Sequence, residues 1–401
     1  MSYPALALLG SGLTLVLSLI ILAVAKHRRN PTLTNPGSLR RHWSAIGLTV
    51  LVLFTLTAIF DNLMIGSGLF TYAPEYVGGL MIGLVPIEDF AYPLAGTLLL
   101  PSLWILLQHG GVARRRGFAQ LILSSRPVSW VNTAFPFGAA YLLTTHNFDW
   151  VFLVGSLYFL IPYNLAMYGI NDVFDYESDL RNPRKGGIEG ALLDPQLHRP
   201  ILWTAAIINL PFLALLAAAG GPNTWLALGV SVFAVIAYSV KGLRFKERPV
   251  LDSITSSTHF VSPALVGLTL GGADFSSPIL LVLGAFFLWG MAAHAFGAIQ
   301  DIAPDRDAGI HSIATVFGAR RTARFAFVLW VLAGTTMLLT PWPGPLAGLI
   351  AVPYLLNCAP WLNLSDADAH RTHAAWRRFI FLNFFSGFLA TLILIIEWNI
   401  S

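Results

Sequence analysis

The sequence predicts an all-α membrane protein of about twelve transmembrane helices, a three-helix unit followed by a nine-helix bundle. Three observations predict it. Of the 401 residues, 56% are hydrophobic and 11% charged, where soluble domains carry about a quarter charged, and mean hydropathy is +0.68. Apolar runs of about 20 residues, the length that crosses a bilayer, recur from end to end. Lysine and arginine fall only in alternate connections.

In order, the spans lie near 4–25, 44–65, 79–107, 128–145, 150–170, 201–219, 224–240, 252–271, 278–298, 322–340, 345–363 and 376–397. The first has no positive residue before Ala5 and KHRR after Ala25. That charge order is the reverse of a cleavable leader, so it reads as a retained span. The connections holding KHRR, Arg40 and Arg41, Arg114–Arg116, Arg126, RNPRKGG, Arg199, KGLRFKER, Arg306, ARRTAR and the Arg371–Arg378 segment fall on one side. The opposite connections (66–78, THNFD, GGPN, GGADFSSP, PWPGP) and the tail EWNIS hold neither lysine nor arginine. The positive side faces the cytoplasm and both termini face outward. The net charge of +4 comes without a basic tail, which argues against nucleic acid as a partner. One cysteine, Cys358, excludes an internal disulfide and a cysteine metal site. Three parts follow: a three-span domain over 1–110, a basic cytoplasmic linker over 111–127, and a bundle over 128–401.

The cytoplasmic end of the fifth span reads NDVFDYESD, residues 171–179. Asn171, Asp175 and Asp179 recur every fourth residue, which on a helix stacks them along one face. A second acidic stretch, QDIAPDRD at 300–307, ends the ninth span on the same side, with Asp301 and Asp305 four apart. Two such helix ends, four spans apart, point to an internally duplicated bundle whose cytoplasmic ends converge. Facing carboxylates make an oxygen-rich pocket suited to Mg2+, which uses few carboxylates and completes its octahedron with water and phosphate oxygens. Between the two stretches, Lys241, Arg244 and Lys246 can meet phosphate charge the metal leaves uncompensated. Arg181 and Tyr238, at the same end, complete the candidate substrate-binding set. Acids, metal and bases at a membrane surface suit the ionisation of an allylic diphosphate, whose leaving group carries most of the developing charge.

NDVFDYESD resembles the N-D-x-x-D-x-x-x-D signature of the UbiA superfamily of membrane prenyltransferases, and DIAPD resembles its second D-x-x-x-D. The nine spans from about 128 to 397 match that family. The resemblance implies Asn171, Asp175, Asp179, Asp301 and Asp305 as metal-site residues, Asp172 as an assisting one, and Arg244 and Lys246 as diphosphate ligands, with Mg2+ or Mn2+ as cofactor. The sequence departs from the pattern at Lys241–Gly242, where many members carry a proline pair. The long loop NPRKGGIEGALLDPQLHRP resembles the branch acting on carotenoids, the lycopene elongases.

In the first 110 residues, LVPIEDFAY places Glu88 and Asp89 about ten residues into the third span. Charges at mid-membrane cost roughly 2.5–3.5 kcal/mol each, which calls for a role. Asp61 and Asn62, near the outer end of the second span, can join them as substrate-binding residues. A carboxyl in low dielectric can donate a proton to an alkene or remove one from a cation. This stretch is similar to the small-subunit type of lycopene cyclase. The D-N pair, Thr71–Tyr72 and Pro86-x-Glu88-Asp89 correspond to that type's elements, with aspartate where its second glutamate stands. Such cyclases need two homologous halves, so a second subunit is an implied partner.

Together the resemblances imply transfer of a dimethylallyl group from dimethylallyl diphosphate to C2 of a lycopene end, with ring closure to a C50 carotenoid. Two rivals stand beside this. The acceptor can be an aromatic quinone precursor, with the N-terminal unit a mere anchor. Alternatively the acids line a cation transporter, although transporter sites lie near the midplane rather than at span ends. Three further readings are bland: the run 241–248 as a positive-inside loop, His294 as a packing histidine, and Asp366 and Asp368 as surface.

Overall fold

The computed structural model describes residues 2–27, 36–66, 68, 71–108, 118–180 and 193–400. The chain divides into two compact units, Met1–Arg115 and Arg116–Ser401.

In the first unit α1 (Tyr3–His27) and α2 (Pro36–Gly66) both pack on α3 (Ala91–Gln108). Before α3 comes a two-residue hairpin, β1 (Met81–Ile82) and β2 (Val85–Pro86), then a 3-10 turn over Ile87–Phe90. Gly83 turns the hairpin at φ +69°, and a Cβ there would strike the Asn62 amide. The predicted third span therefore starts twelve residues late: 79–90 is an end cap, and Glu88 and Asp89 sit at the mouth of α3 rather than at mid-membrane. An apolar window cannot distinguish GGLMIGLVP from helix, but its glycines mark the turn.

The second unit opens with α4 (Phe118–Ser124), which packs on α7 (Pro162–Phe174). The stretch expected as linker, 111–127, thus belongs from Phe118 onward to this unit. Then follow α5 (Val131–Thr145), α6 (Trp150–Leu160), α7, the short α8 (Tyr176–Asp179), α9 (His198–Ala219) and α10 (Pro222–Ser239). The chain continues through α11 (Leu251–Gly271), α12 (Ser277–Ala298), α13 (Ile302–Asp307) and α14 (Ile313–Met337). It ends with α15 (Pro345–Gly348), α16 (Ala351–Cys358) and α17 (His373–Ile400).

Helix α11 is the hub, packing on α5, α10 and α12. One buried cluster gathers Phe137, Tyr158, Tyr163 and Leu228 beneath the first acidic stretch. Another gathers Phe296, Trp330, Tyr354 and Phe379 beneath the second. Small residues permit the close approaches, as membrane helix packing requires. A Cβ on Gly267 of α11 would lie 2.6 Å from the Phe137 carbonyl oxygen of α5. Backbone cannot yield as a side chain does, so Gly267→Ala should cost about 1–3 kcal/mol. The expected result is a lower midpoint in thermal unfolding of the detergent-solubilised protein.

Among the described residues, seven helical stretches are long and apolar enough to cross a membrane: Tyr3–His27, Arg40–Gly66, Trp150–Phe174, Pro195–Ala219, Pro222–Ser239, Ser277–Asp307 and Asp366–Ile400. Of the other five predicted spans, 128–145 and 345–363 fall on shorter helices, 252–271 and 322–340 on more polar ones, and 79–107 on the apolar α3 behind its end cap. Helix α11 shows why. It buries Asp252, Ser253, Thr255, Ser257, His259 and Ser262 inside the bundle, which lowers its hydropathy.

Candidate active site

The first acidic stretch is built by a helix that breaks twice. Between α6 and α7 the chain turns at Ile161–Pro162. The Asn164 amide stitches the break, donating to the Phe159 carbonyl at 2.8 Å and to Thr133 Oγ1 at 2.6 Å. Helix α7 then ends at Asp175 (φ −99°, ψ 0°). The three-turn row expected from Asn171 to Asp179 is therefore interrupted, because Asp179 lies on the separate α8. Asn171 and Asp175 keep the expected contact, with Asn171 Nδ2 donating to Asp175 Oδ2 at 3.0 Å. The surroundings of the Asp179 side chain, and Arg181 altogether, lie outside the described residues.

Cations relieve the repulsion among the acids. Arg126 donates to the buried Asp172 carboxylate at 2.9 Å and stacks 4.3 Å over the Tyr168 ring. Lys246 pairs with Asp175, and Arg244 lies 3.8 Å from the same oxygen. These two cations come from one turn between α10 and α11, shaped by Gly242 at φ +97° and Arg244 at φ +41°. Arg244 also pairs with Glu247. Lys241 is exposed on this turn and makes no ion pair among the described residues. Burial pulls the Lys246 ammonium down to about 8, while Glu247, Asp172 and Asp305 act to hold it up. Because Lys246 sits on Asp175 and also senses Asp305, the two acidic stretches share one electrostatic neighbourhood. Tyr238 at the end of α10 likewise senses Arg126 and Asp305.

Asp301 ends a 3-10 turn after α12, and Asp305 lies on α13; both are half-buried. Their loop is clamped from behind. Arg306 donates to the Thr315 carbonyl at 2.8 Å and pairs with Asp366 at 2.8 Å. Asp366 also accepts the Ala319 N–H at 2.7 Å. Asp366, read as surface, keeps 40% of its side chain exposed and also clamps this loop, whereas Asp368 forms an exposed pair with Arg371. His294, read as a packing histidine, has its Nε2 3.7 Å from the buried Asp252 carboxylate.

Among the described residues no group of three acidic, histidine or cysteine side chains forms a metal cage. The donors nevertheless fit a hard divalent ion. Asn171 Oδ1 and Asp172 Oδ2 are buried oxygens with no hydrogen-bond partner, and Asp175, Asp301 and Asp305 add carboxylates. Mg2+ uses such sparse sets with water and phosphate oxygens.

Sequence reasoning missed Arg126, which it counted only as a basic loop residue 46 positions before Asp172. Removing it strands a fully buried carboxylate, at a cost of about 3–5 kcal/mol. Arg126→Ala should therefore unfold earlier than the wild type and bind diphosphate more weakly. Thermal unfolding and calorimetric titration with inorganic pyrophosphate check both effects.

The first unit holds its own acids. Glu88 and Asp89 are each 6% exposed. Glu88 Oε1 accepts the Gly78 N–H at 2.7 Å, while its Oε2 is buried with no hydrogen-bond partner. The Tyr72 hydroxyl donates to Asp89. Burial pushes the Asp89 carboxyl above its ordinary range, opposed by the Tyr72 hydrogen bond and aided by the Glu88 charge. Asp61 lies within electrostatic reach of Asp89. Asn62 is otherwise committed: its amide donates to the Ala58 and Ile82 carbonyls and accepts the Leu84 N–H at 2.6 Å. It braces the hairpin against α2. Beside Tyr72 opens a cavity of about 610 Å³ walled by Tyr3, Thr71 and Tyr76 among others.

A helical membrane unit gathering acids and bases at one mouth has the layout of an enzyme for phosphorylated lipid-soluble substrates. The chain belongs to the UbiA prenyltransferase family, whose model matches residues 133–385, and it is a prenyltransferase. It is similar to the C50 β-cyclic carotenoids biosynthesis protein LbtBC of Dietzia sp. strain CQ4, with 45% identity over 91% of this chain and 93% of that one. It is also 51% identical to a lycopene elongase/hydratase of Corynebacterium glutamicum, over 69% of this chain and 96% of that protein. A UbiA homolog from Archaeoglobus fulgidus, solved with GPP and Mg2+, matches with a TM-score of 0.52 at 22% identity. That match covers 67% of this chain and 99% of the homolog, and it establishes the fold.

Proposed function

We propose that the second unit transfers a dimethylallyl group from dimethylallyl diphosphate to C2 of a lycopene end, and that the first unit contributes to ring closure of the elongated chain. The carrying observation is the placement of Asp175 between Asn171 and the cations of the 240–248 turn, with Asp305 acting on the same lysine. Mg2+ held by Asn171, Asp172, Asp175, Asp179, Asp301 and Asp305 would supply the positive charge that makes diphosphate a leaving group. Lys246, Arg244 and Arg126 take up the remaining negative charge as the C–O bond breaks. The C1=C2 electron pair of the lycopene end forms the new bond, leaving a tertiary cation at C1. Proton loss gives an acyclic prenylated end. In the first unit Glu88 and Asp89, with Tyr72 and Asp61, handle the protons of ring closure, in which C5=C6 attacks C1.

Several observations support this reading. The Dietzia relative is named for C50 β-cyclic carotenoids and is matched nearly end to end. The Corynebacterium relative, named for elongation or hydration of lycopene, is matched by a length close to that of the second unit. An aromatic acceptor with an inert N-terminal anchor leaves two buried acids without a use, and a transporter leaves the diphosphate cations without one. The reading also takes twelve spans, both termini outside, the diphosphate mouth on the cytoplasmic face of the cell membrane, and a second cyclase-type subunit.

Expression in a lycopene-making host, with and without a complementary three-span subunit, tests the whole. C45 and C50 acyclic pigments are expected from this chain alone, and cyclic C50 pigment with the partner. Lycopene left unchanged in both strains would reject a carotenoid acceptor.

A further inference from the structure

Beneath the diphosphate mouth stands a second pair of groups that the reaction above does not yet use. Asp252, in the first turn of α11, is fully buried. Its Oδ1 accepts the Ser253 N–H at 2.6 Å, and its Oδ2 accepts the Ile313 N–H at 2.7 Å. That same Oδ2 lies 3.7 Å from His294 Nε2, and the histidine side chain keeps 18% of its surface exposed. Its ring stands edge-on to Tyr238, centroids 6.3 Å apart at 82°. Tyr238 stands in the last turn of α10, just before the turn that carries Arg244 and Lys246, so the ring of His294 packs directly behind that turn. His294 precedes Asp301 by seven residues, the last three of them a 3-10 turn, which sets it on the order of 10 Å back along the chain axis from that carboxylate.

That depth is where a prenyl acceptor must sit, its reacting carbon below a diphosphate held at the mouth. The cation formed there has to lose a proton, and the nearer carboxylates Asp172 and Asp175 are already paired with Arg126 and Lys246. We propose that His294, held against Asp252, accepts the proton that the acceptor loses after prenyl transfer. With the Asp252 carboxylate 3.7 Å from its Nε2, a protonated His294 ring would face a fixed negative charge. The electrons balance. The C–O pair leaves with diphosphate, and the acceptor's C=C pair forms the new C–C bond. A C–H pair beside the resulting cation becomes the new C=C, and the proton ends on His294, its charge facing Asp252.

This inference rests on the carotenoid reading, and its test separates the two. His294→Gln, with His294→Asn as a smaller second variant, is assayed in membranes with dimethylallyl diphosphate, Mg2+ and lycopene. The readout is the ratio of alkene product to water-captured product, the latter being prenylated carotenoid hydroxylated at the former cation. Losing a positioned base should lower that ratio about 100-fold. A structural role would lower all products in proportion, so an unchanged ratio, at any total rate, overturns the proposal. Failure of both variants to accumulate overturns it as well, since His294 would then serve the fold. A wild-type protein that prenylates no carotenoid overturns the parent reading and this one with it. Normal wild-type elongation with an unchanged ratio overturns this one alone.

Discussion

Asp175→Ala should abolish C5 addition, with a fall of about 10²–10³-fold or more in prenylated carotenoid and lycopene accumulating instead. The size follows from what Asp175 touches. It accepts from Asn171, pairs with Lys246 and lies 3.8 Å from Arg244. Its removal takes an oxygen donor from the proposed metal set and leaves a buried ammonium without the Asp175 carboxylate. Lys246 then loses the anchor that aims it, so ionisation of the diphosphate suffers twice. Asp368→Ala is the matched control, an exposed acid that accepts from the Ser365 hydroxyl and lies 3.8 Å from Arg371, and should leave pigment output within a factor of about two. Pigment mass analysis reads both variants, and the account fails at its centre if Asp175→Ala still elongates lycopene.

Glu88→Gln should produce a different failure: elongation continues and the prenylated chain stays acyclic. The substitution is conservative in shape. A glutamine carbonyl still accepts the Gly78 N–H that Glu88 Oε1 accepts at 2.7 Å, so the loop over 71–80 keeps its tie. What disappears is the ionisable oxygen Oε2, which is buried with no hydrogen-bond partner. General acid–base groups contribute about 10²–10⁴-fold, so ring formation should fall by at least about 100-fold in a host that also makes the complementary subunit. Cyclic pigment at the wild-type level would show that Glu88 is structural and that the first unit does not cyclise.

Much of the fold and site was legible in the sequence because membrane chemistry leaves coarse marks. The sorted basic residues and the two acidic stretches led to Asp175, Lys246 and Asp305, and the structure brings these into one neighbourhood. What escaped notice depends on short-range geometry or long-range pairing. The 79–90 cap is as apolar as a helix, so only Gly83 and its neighbours betrayed the hairpin. The break at Asp175 separates Asp179 from the helix face that its spacing assigned to it. Arg126 with Asp172 and Asp252 with His294 join positions 46 and 42 residues apart, and no local pattern announces such pairs. Asp366 looked idle because its partners, Arg306 and the Ala319 N–H, lie on other elements.

The central claim is that both acidic helix ends serve one bound diphosphate. Co-crystals grown with Mn2+ and a non-hydrolysable thiolo analogue of dimethylallyl diphosphate test it directly, with the manganese located by anomalous scattering. The expected map places metal within coordination distance, about 2–2.3 Å, of Asp175 and of Asp301 or Asp305, with pyrophosphate oxygens between them and Lys246 turned toward the phosphate. Manganese bound at one stretch alone, with the analogue beyond reach of the other, would contradict it.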